Sequence, residues 1–384
     1  AGSIPVPLTT QRLKMQFQKN RLKVQLFSIL FKFAAWLQDI PNKVTPPPFR
    51  LIQIGSAFWQ SRLIYVAAHL DIATVLAGDS LHVDQIATRV SSHPDATYRM
   101  LRMLSAMGIF EESSPRTFKN NKLSNCLREG DPQNIRAMIM MHNSPEMSLP
   151  WYQQLEAGIK SGDAPFSLTH QQELFAYTQS HTEFSALFSS AMDNVESLSG
   201  DSYATDFDWG QFSRIIDVGG SKGSKSVSIL KRHAQLTALV IDQEKVISEA
   251  RQYWQGKEEH DLFNRLSFQA GDVLETLPAA TSNKDIYFLS AVLHGFDDAT
   301  CIQALTNIAA AIADSGARIA LMELVMNETN PDFTSTSFDM QMFMGTRGRE
   351  RTLPEWNSLF SRSGLTLEEV VSLRSFGKIL VLKV

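Results

Sequence analysis

An α/β fold with a mostly parallel, doubly wound sheet is predicted for the C-terminal half of this chain of 384 residues. Two observations predict it. Short apolar runs rich in β-branched residues alternate with stretches of helical periodicity. A glycine cluster follows the first run, and polar residues stand at the carboxyl ends of later runs, where open α/β sheets bind ligands.

The first predicted strand is the run at 215–218, which contains Asp217 and leads into Gly219, Gly220 and Gly223. Glycine lacks a Cβ, so the backbone there can turn tightly and lie close to a ligand. A helical segment follows, and a helix N-terminus offers unpaired N–H groups and a partial positive charge. Taken alone, this stretch fits both a nucleotide-binding turn and a plain strand-to-helix turn.

The second run, at 238–242, favours the nucleotide-binding interpretation. It ends in Asp242, which lies 23 residues after Gly219. A carboxylate at the end of the second strand can accept hydrogen bonds from both hydroxyls of a ribose. The sequence therefore predicts a ribose-binding acid at this position.

The later runs complete the predicted sheet. They are strands at 266–270, 285–293 and 318–325 and a closing pair at 365–373 and 375–384. Asp272 and His294 follow the first two of these strands, and Glu323 lies within the third. The short link between the closing strands predicts an antiparallel pair at the sheet edge.

The composition is that of an ordinary soluble globular protein, with 43% hydrophobic and 20% charged residues. A net charge of −4 gives no general attraction to nucleic acid or to an anionic membrane. The two cysteines, Cys126 and Cys301, exclude a disulfide framework and a cysteine-rich metal site. They fit a reducing compartment, so we expect a cytoplasmic protein.

Residues 11–37 carry six basic residues and no acid, and from Leu22 the apolar residues recur at helical spacing. One interpretation is a basic amphipathic helix on a membrane surface. We favour the alternative, a helix that packs on the rest of the protein or on a second subunit, because apolar stripes usually face a core. A proline-rich connector at 42–48 should end this helix.

Residues 46–130 are predicted to form a mostly helical winged-helix domain. It comprises a helical segment at about 49–76, short helices at 83–90 and 94–104, and a hairpin-like tail to about residue 123. DNA binding through Arg99 and Arg102 is one possible function, but the wing carries few basic residues and DNA binding needs a basic face. A dimer interface is the preferred interpretation.

Residues 131–200 have helical periodicity, with Phe184, Phe188 and Met192 at i, i+4 and i+8. Core packing and an adaptable apolar lid over a flat substrate both fit this pattern. Four domains follow from the patterns: a basic helical extension at 1–45, the winged helix at 46–130, a helical linker and lid at 131–200, and the sheet domain at 201–384.

Together the motifs resemble those of class I S-adenosylmethionine-dependent methyltransferases, and among them the small-molecule O-methyltransferases of the caffeate and hydroxyindole type with their microbial natural-product relatives. The motifs are Asp217-Val218-Gly219-Gly220, Asp242, Gly271-Asp272, Leu293-His294-Gly295-Phe296-Asp297-Asp298, Glu323 and Gly348-Arg349-Glu350-Arg351-Thr352. The resemblance runs from about residue 49 to the C-terminus. It implies a Rossmann-like seven-stranded methyltransferase sheet, an N-terminal winged-helix dimerisation domain and a homodimer.

The resemblance also implies S-adenosylmethionine as cofactor, no metal, and a small aromatic molecule as methyl acceptor. The implied cofactor-binding residues are Asp217, Gly219, Gly220, Gly223, Asp242, Asp272, Val273 and Ser290. The implied general base is His294, with the acids Glu323 and Glu350 around it. The implied acceptor contacts are His142, Phe184, Phe188, Met192, Asp339 and Met342.

The chemistry of these roles can be stated independently. A phenol with a pKa of ~10 is mostly protonated at neutral pH and is then a poor nucleophile. A histidine with a pKa near ~6.5 can take that proton as the methyl group arrives. Carboxylates such as Glu323 and Glu350 would fix the tautomer of His294 and stabilise its cation. We expect O-methylation of an aromatic or polyketide-type metabolite.

Two alternatives stay open. Some relatives bind the cofactor but catalyse hydroxylation, decarboxylation or pericyclic rearrangement, and retention of His294, Glu323 and Glu350 argues against such a change. The second alternative is a winged-helix regulator that senses a ligand. The sequence also departs from the family pattern at Ser221, which takes the place of a third consecutive glycine.

Overall fold

The computed structural model describes residues 22–27, 29–30, 33–34, 36–37, 40–41, 43–198, 200–255, 260–375 and 377–384. The chain divides into two compact units, one of residues 34–199 and one that contains residues 200–384. Among the described residues, no helix is both long and apolar enough to cross a lipid bilayer.

The unit at 34–199 begins with helices and a small sheet. Its first elements are α1 (Pro47–Gly55), α2 (Ala57–His69), α3 (Ile72–Leu76), β1 (Leu81–His82), α4 (Val83–Arg89), α5 (Pro94–Ala106), β2 (Phe110–Ser114), β3 (Thr117–Asn120) and α6 (Lys122–Asn125). The strands pair antiparallel in the order β1-β3-β2. Buried Leu101 and Leu104 of α5 share one core with Phe110 and Phe118 of the hairpin. This arrangement is the predicted winged helix.

The chain departs from the prediction between residues 47 and 76. The preceding helical residues end at residue 44, inside the proline-rich connector predicted to end them. Helix α1 begins at Pro47, two residues earlier than expected, because proline in the first turn needs no N–H partner and has its φ preset. The single helix predicted at 49–76 is three helices, α1 to α3. Asp71 has a left-handed φ of 54° and therefore separates α2 from α3.

The rest of this unit is helical, as predicted. Its helices are α7 (Arg136–Asn143), α8 (Pro145–Gln153), α9 (Leu155–Ser161), α10 (Pro165–His170), α11 (Leu174–Ser180) and α12 (Thr182–Leu198). Helix α7 packs against α12, where the backbone N–H of Met138 donates to Asn194 Oδ1 at 3.3 Å.

The predicted basic helix at 11–37 lies partly outside the described residues, which begin at 22 and omit 28, 31, 32 and 35. The described part is helical. Each residue of its apolar stripe is 46–68% exposed. The stripe consists of Leu22, Leu26, Ile29, Leu30, Phe33 and Leu37. These residues are therefore not buried in a core within the single chain, as the first part of the preferred prediction would require. Contact with a second subunit or with a membrane stays a prediction.

The unit at 200–384 is built on one mixed sheet. Its strands are β4 (Arg214–Val218), β5 (Thr237–Asp242), β6 (Leu266–Ala270), β7 (Asp285–Ser290), β8 (Arg318–Met326), β9 (Arg351–Thr352), β10 (Thr366–Ser372) and β11 (Gly377–Lys383). Seven of them form one row in the order β10-β11-β8-β7-β4-β5-β6, and β9 pairs with β8. The strands from β8 to β6 are parallel, whereas β10 and β11 are antiparallel at the edge. The predicted Rossmann-like sheet is confirmed.

Both faces of this sheet are covered, which explains its unbroken apolar runs. Neighbouring residues of a strand point to opposite faces, and Ile215 and Ile216 of β4 are both fully buried. Ile215 belongs to a core with Trp209 on one side, and Ile216 belongs to a second core with Trp356 on the other. The helices are α13 (Ser202–Thr205), α14 (Ser224–Leu230), α15 (Glu244–Gln255), α16 (His260–Phe263), α17 (Asp298–Ile312), α18 (Phe333–Gly345) and α19 (Leu353–Arg362).

Strand β7 ends three residues earlier than predicted, at Ser290. Ala291 has a φ of 53°, and Leu293–Gly295 form a single 3₁₀ turn. His294 therefore stands on a turn beyond the strand and not at its last residue. An apolar run cannot reveal this end, because buried loop residues such as Leu293 are as apolar as strand residues.

Candidate active site

The glycine turn after β4 is shaped by the protein's own packing. Gly219 has a φ of +73°, and a Cβ added there would lie 2.8 Å from Val292 Cγ2. A Cβ on Gly220 would lie 2.6–2.9 Å from the carboxyl group of Asp217, and one on Gly223, with φ +75°, would lie 2.9 Å from Val240 Cγ2. These positions therefore require glycine before any ligand is considered.

Two acids hold the turn. Buried Asp217 accepts a hydrogen bond from the Ser226 hydroxyl on α14, with 2.6 Å between Oγ and Oδ2. Asp242, at the end of β5, accepts the backbone N–H of Ser221 on Oδ2 at 2.8 Å. Ser221 has a φ of 51°, so the residue in place of a third glycine also adopts the left-handed conformation. Its N–H bond to Asp242 stabilises that strained backbone.

The carboxylate of Asp242 keeps acceptor capacity. Its Oδ1 accepts the N–H of Gln243 at 2.8 Å, so each oxygen uses one lone pair on backbone and retains others. Burial raises the pKa of this carboxyl group, the two N–H bonds lower it, and the charge of Asp272 raises it.

The other predicted cofactor-binding residues stand at neighbouring strand ends. Asp242 is paired in register with Ala270, after which Asp272 is exposed and Val273 is buried. Ser290 is half-buried at the end of β7, which lies beside β4. The structure thus gathers these residues at one edge of the sheet. Their contact with the cofactor stays a prediction.

The residues present fit an adenosyl cofactor. A carboxylate accepts hydrogen bonds but, when ionised, cannot donate them, so Asp242 suits the hydroxyl groups of a ribose and not a phosphate. The tight turn at 219–223 brings backbone to the same edge without side-chain bulk at its glycines.

The 3₁₀ turn that carries His294 is fixed by Glu323. This glutamate lies on β8 with 2% of its surface exposed, and its Oε1 accepts the backbone N–H groups of Val292 at 3.2 Å and Leu293 at 3.0 Å. The N–H of Ala291 still donates to the carbonyl oxygen of Met322 on β8 at 2.9 Å, and beyond it these two bonds take the place of hydrogen bonds between strands. Among the hydrogen bonds of the described residues, none joins Glu323 to the imidazole ring. This differs from the sequence-based prediction that Glu323 helps to fix the tautomer of His294.

Glu350 is the acid that contacts the ring. Its Oε1 lies 2.8 Å from His294 Nδ1, in the loop before β9. The Glu350 side chain is 2% exposed, whereas the His294 side chain keeps 23% of its surface open. One nitrogen of the imidazole is thereby held against a buried acid, and part of the His294 side chain remains exposed.

Electrostatics make His294 a stronger base than free histidine. Burial by itself lowers the pKa of the imidazole, but the Glu350 hydrogen bond and the charges of Glu323 and Glu350 outweigh burial and the opposing charge of Arg351. The pKa of His294 is therefore raised above 6.5. Burial and the charge of Glu350 together raise the pKa of Glu323 to about 7, against the lowering effects of the nearby imidazole and of the N–H groups of Leu293 and Val292.

The side-chain donor atoms of His294, Glu323 and Glu350 lie within 4.8 Å of one another. A nitrogen and two carboxylate oxygens could in principle hold a divalent cation. Tetrahedral ligands of one zinc ion, at about 2.0–2.1 Å from it, stand roughly 3.3 Å apart. The 2.8 Å between His294 Nδ1 and Glu350 Oε1 is the distance of a hydrogen bond.

Gly348 is a site residue to which the sequence assigns no role. A Cβ on it would lie 1.9 Å from the carbonyl oxygen of His294 and 2.5 Å from the carbonyl carbon of Gly295. The loop that carries Glu350 therefore lies directly against the turn that carries His294. A glycine two residues before Glu350 in the quoted motif was the available signal.

The predicted acceptor contacts fall in both units. In the unit at 200–384, Asp339 and Met342 are half-buried on α18, and Asp339 Oδ1 accepts the N–H of Glu350 at 2.9 Å. Asp339 thus supports the loop of the predicted base. Burial raises the pKa of the Asp339 carboxyl group, the Glu350 N–H lowers it, and the Glu350 charge raises it.

In the unit at 34–199, Phe184 is buried on α12 and its ring lies 6.2 Å from that of half-buried Phe188. Met192 on the same helix is 38% exposed, and His142 is exposed on α7. Core packing therefore accounts for Phe184 but not for Met192. Acceptor contact by these four residues stays a prediction.

Two family models match the chain. One, described as an O-methyltransferase domain, matches residues 152–366. The other, described as an O-methyltransferase dimerisation domain, matches residues 52–130. Together they cover both the winged helix and most of the sheet.

Individual relatives include both O- and N-methyltransferases. A phenazine O-methyltransferase of Lysobacter antibioticus is 28% identical over 323 residues, or 84% of this chain and 92% of the relative. A phenazine-1-carboxylate N-methyltransferase of Pseudomonas aeruginosa is also 28% identical, over 84% of this chain and 93% of the relative. A solved O-methyltransferase from neocarzinostatin biosynthesis, in complex with S-adenosylmethionine and 2-hydroxy-5-methyl naphthoic acid, is 25% identical with a TM-score of 0.71, covering 84% and 95% of the two chains.

Proposed function

Because the chain belongs to the O-methyltransferase family, in which S-adenosylmethionine is the methyl donor, we propose that it methylates a phenolic hydroxyl of an aromatic or polyketide-type metabolite. S-adenosylmethionine supplies an electrophilic methyl group on a sulfonium. The observation that carries the proposal is the 2.8 Å contact between accessible His294 and buried Glu350. A base of raised pKa suits an acceptor whose proton must leave as the methyl group arrives.

The geometry supports separate roles for His294, Glu350 and Glu323. Glu350 accepts the Nδ1–H of His294, so the neutral ring keeps its lone pair on Nε2. Nε2 takes the proton of the acceptor hydroxyl, and the imidazolium that forms is stabilised by Glu350 and Glu323. Glu323 also fixes the turn through the N–H groups of Val292 and Leu293, so orientation and electrostatics come from the same carboxylate.

Product analysis tests this function directly. The protein is incubated with S-adenosylmethionine and a panel of hydroxylated aromatic acceptors, and products are identified by mass spectrometry. Methyl transfer must release one equivalent of S-adenosylhomocysteine for each methylated product. The alternative is a family member with non-methylating chemistry. Such an enzyme would convert the acceptor without releasing S-adenosylhomocysteine.

N-methylation is a second candidate, favoured by the similarity to a phenazine-1-carboxylate N-methyltransferase. A neutral ring nitrogen already presents a lone pair and needs no base before it attacks. Fragmentation of the product locates the methyl group on oxygen or on nitrogen. Loss of His294 would separate the two as well, because only the hydroxyl reaction depends on a proton acceptor.

The dimerisation domain at 52–130 supports a homodimer.

Family membership disfavours the hypothesis of a winged-helix regulator. Within the winged helix, the guanidinium of Arg102 lies 5.5 Å from the Tyr98 ring of the same helix. A gel-shift experiment with random duplex DNA at low salt tests DNA binding. If the protein does not change the electrophoretic mobility of the DNA, the regulator hypothesis is removed.

Asp242→Asn is expected to weaken cofactor binding by about 10- to 100-fold, since a hydrogen bond to a charged group contributes roughly 1.5–3 kcal/mol. The amide retains one acceptor oxygen but loses the charge and the second acceptor oxygen, so it can no longer accept both the N–H of Ser221 and a hydroxyl group on separate oxygens. Calorimetry with S-adenosylhomocysteine measures the loss. Asp314→Asn, on the separate 3₁₀ turn Ala313–Ser315, is the control and should bind normally.

The pH profile should report the raised pKa of His294. The base works when neutral, so kcat/KM should fall as pH decreases through a value above 6.5. Glu350→Gln removes the negative charge of the group that is hydrogen-bonded to His294 and raises its pKa. The decrease of kcat/KM should therefore occur at a lower pH, and the limiting kcat/KM at high pH should be smaller than in wild type. An unchanged inflection in Glu350→Gln would contradict the assigned role of Glu350.

A further inference from the structure

Arg351 is a fully buried cation whose hydrogen bonds surround the turn of His294. Its side chain is 0% exposed. Nη1 donates to the carbonyl oxygen of Leu293 at 3.3 Å, and Nη2 donates to that of Phe296 at 2.9 Å. These carbonyls stand on either side of His294 in the chain.

The same guanidinium also reaches the segment of Glu350. Arg351 follows Glu350 directly in the chain. Nη1 of Arg351 lies 3.4 Å from the carbonyl oxygen of Arg349, the residue that precedes Glu350. One side chain therefore joins the segment that carries the imidazole to the segment that carries its acid partner.

Two further contacts hold the guanidinium itself. Asp298 Oδ1, at the start of α17, accepts from Nε at 3.0 Å and from Nη2 at 2.8 Å. The Trp356 ring on α19 lies 5.2 Å from the guanidinium carbon. A planar fork can make these bonds at once, whereas the single ammonium of lysine cannot.

We propose that Arg351 is a positioning residue, which sets the contact between His294 Nδ1 and Glu350 Oε1 by tying their two segments together. The catalytic consequence rests on the proposed function of His294, but the positioning itself does not. The residue acts through backbone carbonyls and is not itself directed at an acceptor.

Charge and geometry act on His294 in opposite directions, and this makes the proposal testable. The charge of Arg351 lowers the pKa of the imidazole, whereas the Glu350 contact raises it. Arg351→Lys keeps a positive charge and loses the fork, so its effect isolates the geometry.

The other titratable groups near the turn of His294 lie on β8 and at the start of α17. Glu323 faces His294 from β8, and Asp297 and Asp298 stand at the start of α17. Cys301 on α17 donates to the Leu293 carbonyl at 3.2 Å, and burial raises its pKa to about 12, so it stays uncharged.

The test uses the full chain without cofactor or acceptor. The pKa of His294 is followed by NMR of the imidazole in wild type and in Arg351→Lys. We expect it to fall in the variant, because the Glu350 contact loosens. In the loaded enzyme, kcat should fall by about 100-fold, as for a catalytic group displaced by 1 Å, while the KM for the donor stays the same.

Arg265→Lys is the matched control. Arg265 also clamps backbone carbonyls in this unit, those of Leu230, His233 and Leu236, but they lie away from His294. Its variant should lower the thermal unfolding midpoint without moving the His294 pKa.

Asp298→Asn is a second variant in case Arg351→Lys does not fold. The Asp298 side chain is 49% exposed, so its loss spares the core but releases the guanidinium. It should move the His294 pKa in the same direction and by less.

An unchanged His294 pKa in folded Arg351→Lys and in Asp298→Asn would overturn the positioning role. A lowered pKa together with unchanged methyl transfer would support the positioning and contradict the proposed base. The two failures are therefore distinguishable.

Discussion

His294→Ala is expected to lower kcat for O-methylation by about 100- to 10,000-fold, the range that a positioned general base contributes. The variant removes the ring that is hydrogen-bonded to Glu350. Donor binding should be unchanged, because the glycine turn and Asp242 do not depend on the imidazole. Single-turnover rates at saturating donor measure the chemical step, and calorimetry with S-adenosylhomocysteine checks the binding.

His233→Ala is the control for removal of a buried imidazole. His233 is 5% exposed in the same unit, and its pKa is lowered, mainly by burial. It should cost stability and leave the rate per folded molecule as in wild type. Methylation of a hydroxyl at the normal rate by His294→Ala would refute the base assignment.

Gly348→Ala is expected to have the second large effect. The new Cβ would meet the His294 carbonyl oxygen at 1.9 Å, a backbone atom that no side-chain rotation can move away. The turn of His294 or the loop of Glu350 must shift, and a shift of about 1 Å costs on the order of 100-fold in rate. Overpacking should also destabilise the fold by roughly 1–3 kcal/mol or more.

Gly377→Ala is the matched control in the same unit. Its Cβ would find its nearest neighbour, the Glu323 carbonyl oxygen, at 3.7 Å, an ordinary contact distance. Thermal unfolding and kcat are measured for both variants. A Gly348→Ala enzyme with wild-type kcat and unfolding midpoint would show that the two segments are not in the close contact described.

The sequence was informative wherever a local pattern has a local cause. A strand such as β6 is an apolar run that begins and ends at Leu266 and Ala270 as predicted, because both its pattern and its ends are local. The end of β7 is different. It depends on Glu323, more than thirty residues further along the chain, whose carboxylate takes the N–H groups of Val292 and Leu293.

The roles of the two acids show the same limit. The resemblance places Glu323 and Glu350 around His294, and their donor atoms do lie together. Only the folded chain separates their contacts, with Glu350 on the ring and Glu323 on the backbone of the turn. Contact with a given atom depends on a few ångströms of backbone placement, which residue type and spacing do not encode.

By itself the sequence determined the alternation of strands and helices, the glycine turn, the acid after the second strand and the family to which the chain belongs. Periodicity, turn chemistry and motif spacing are properties of neighbouring residues, so they can be read directly from the order of the chain. Only the tertiary structure decided that Gly348 and Arg351 join the segments of His294 and Glu350. Those contacts form between residues more than fifty positions apart, and burial and close approach in three dimensions fix them.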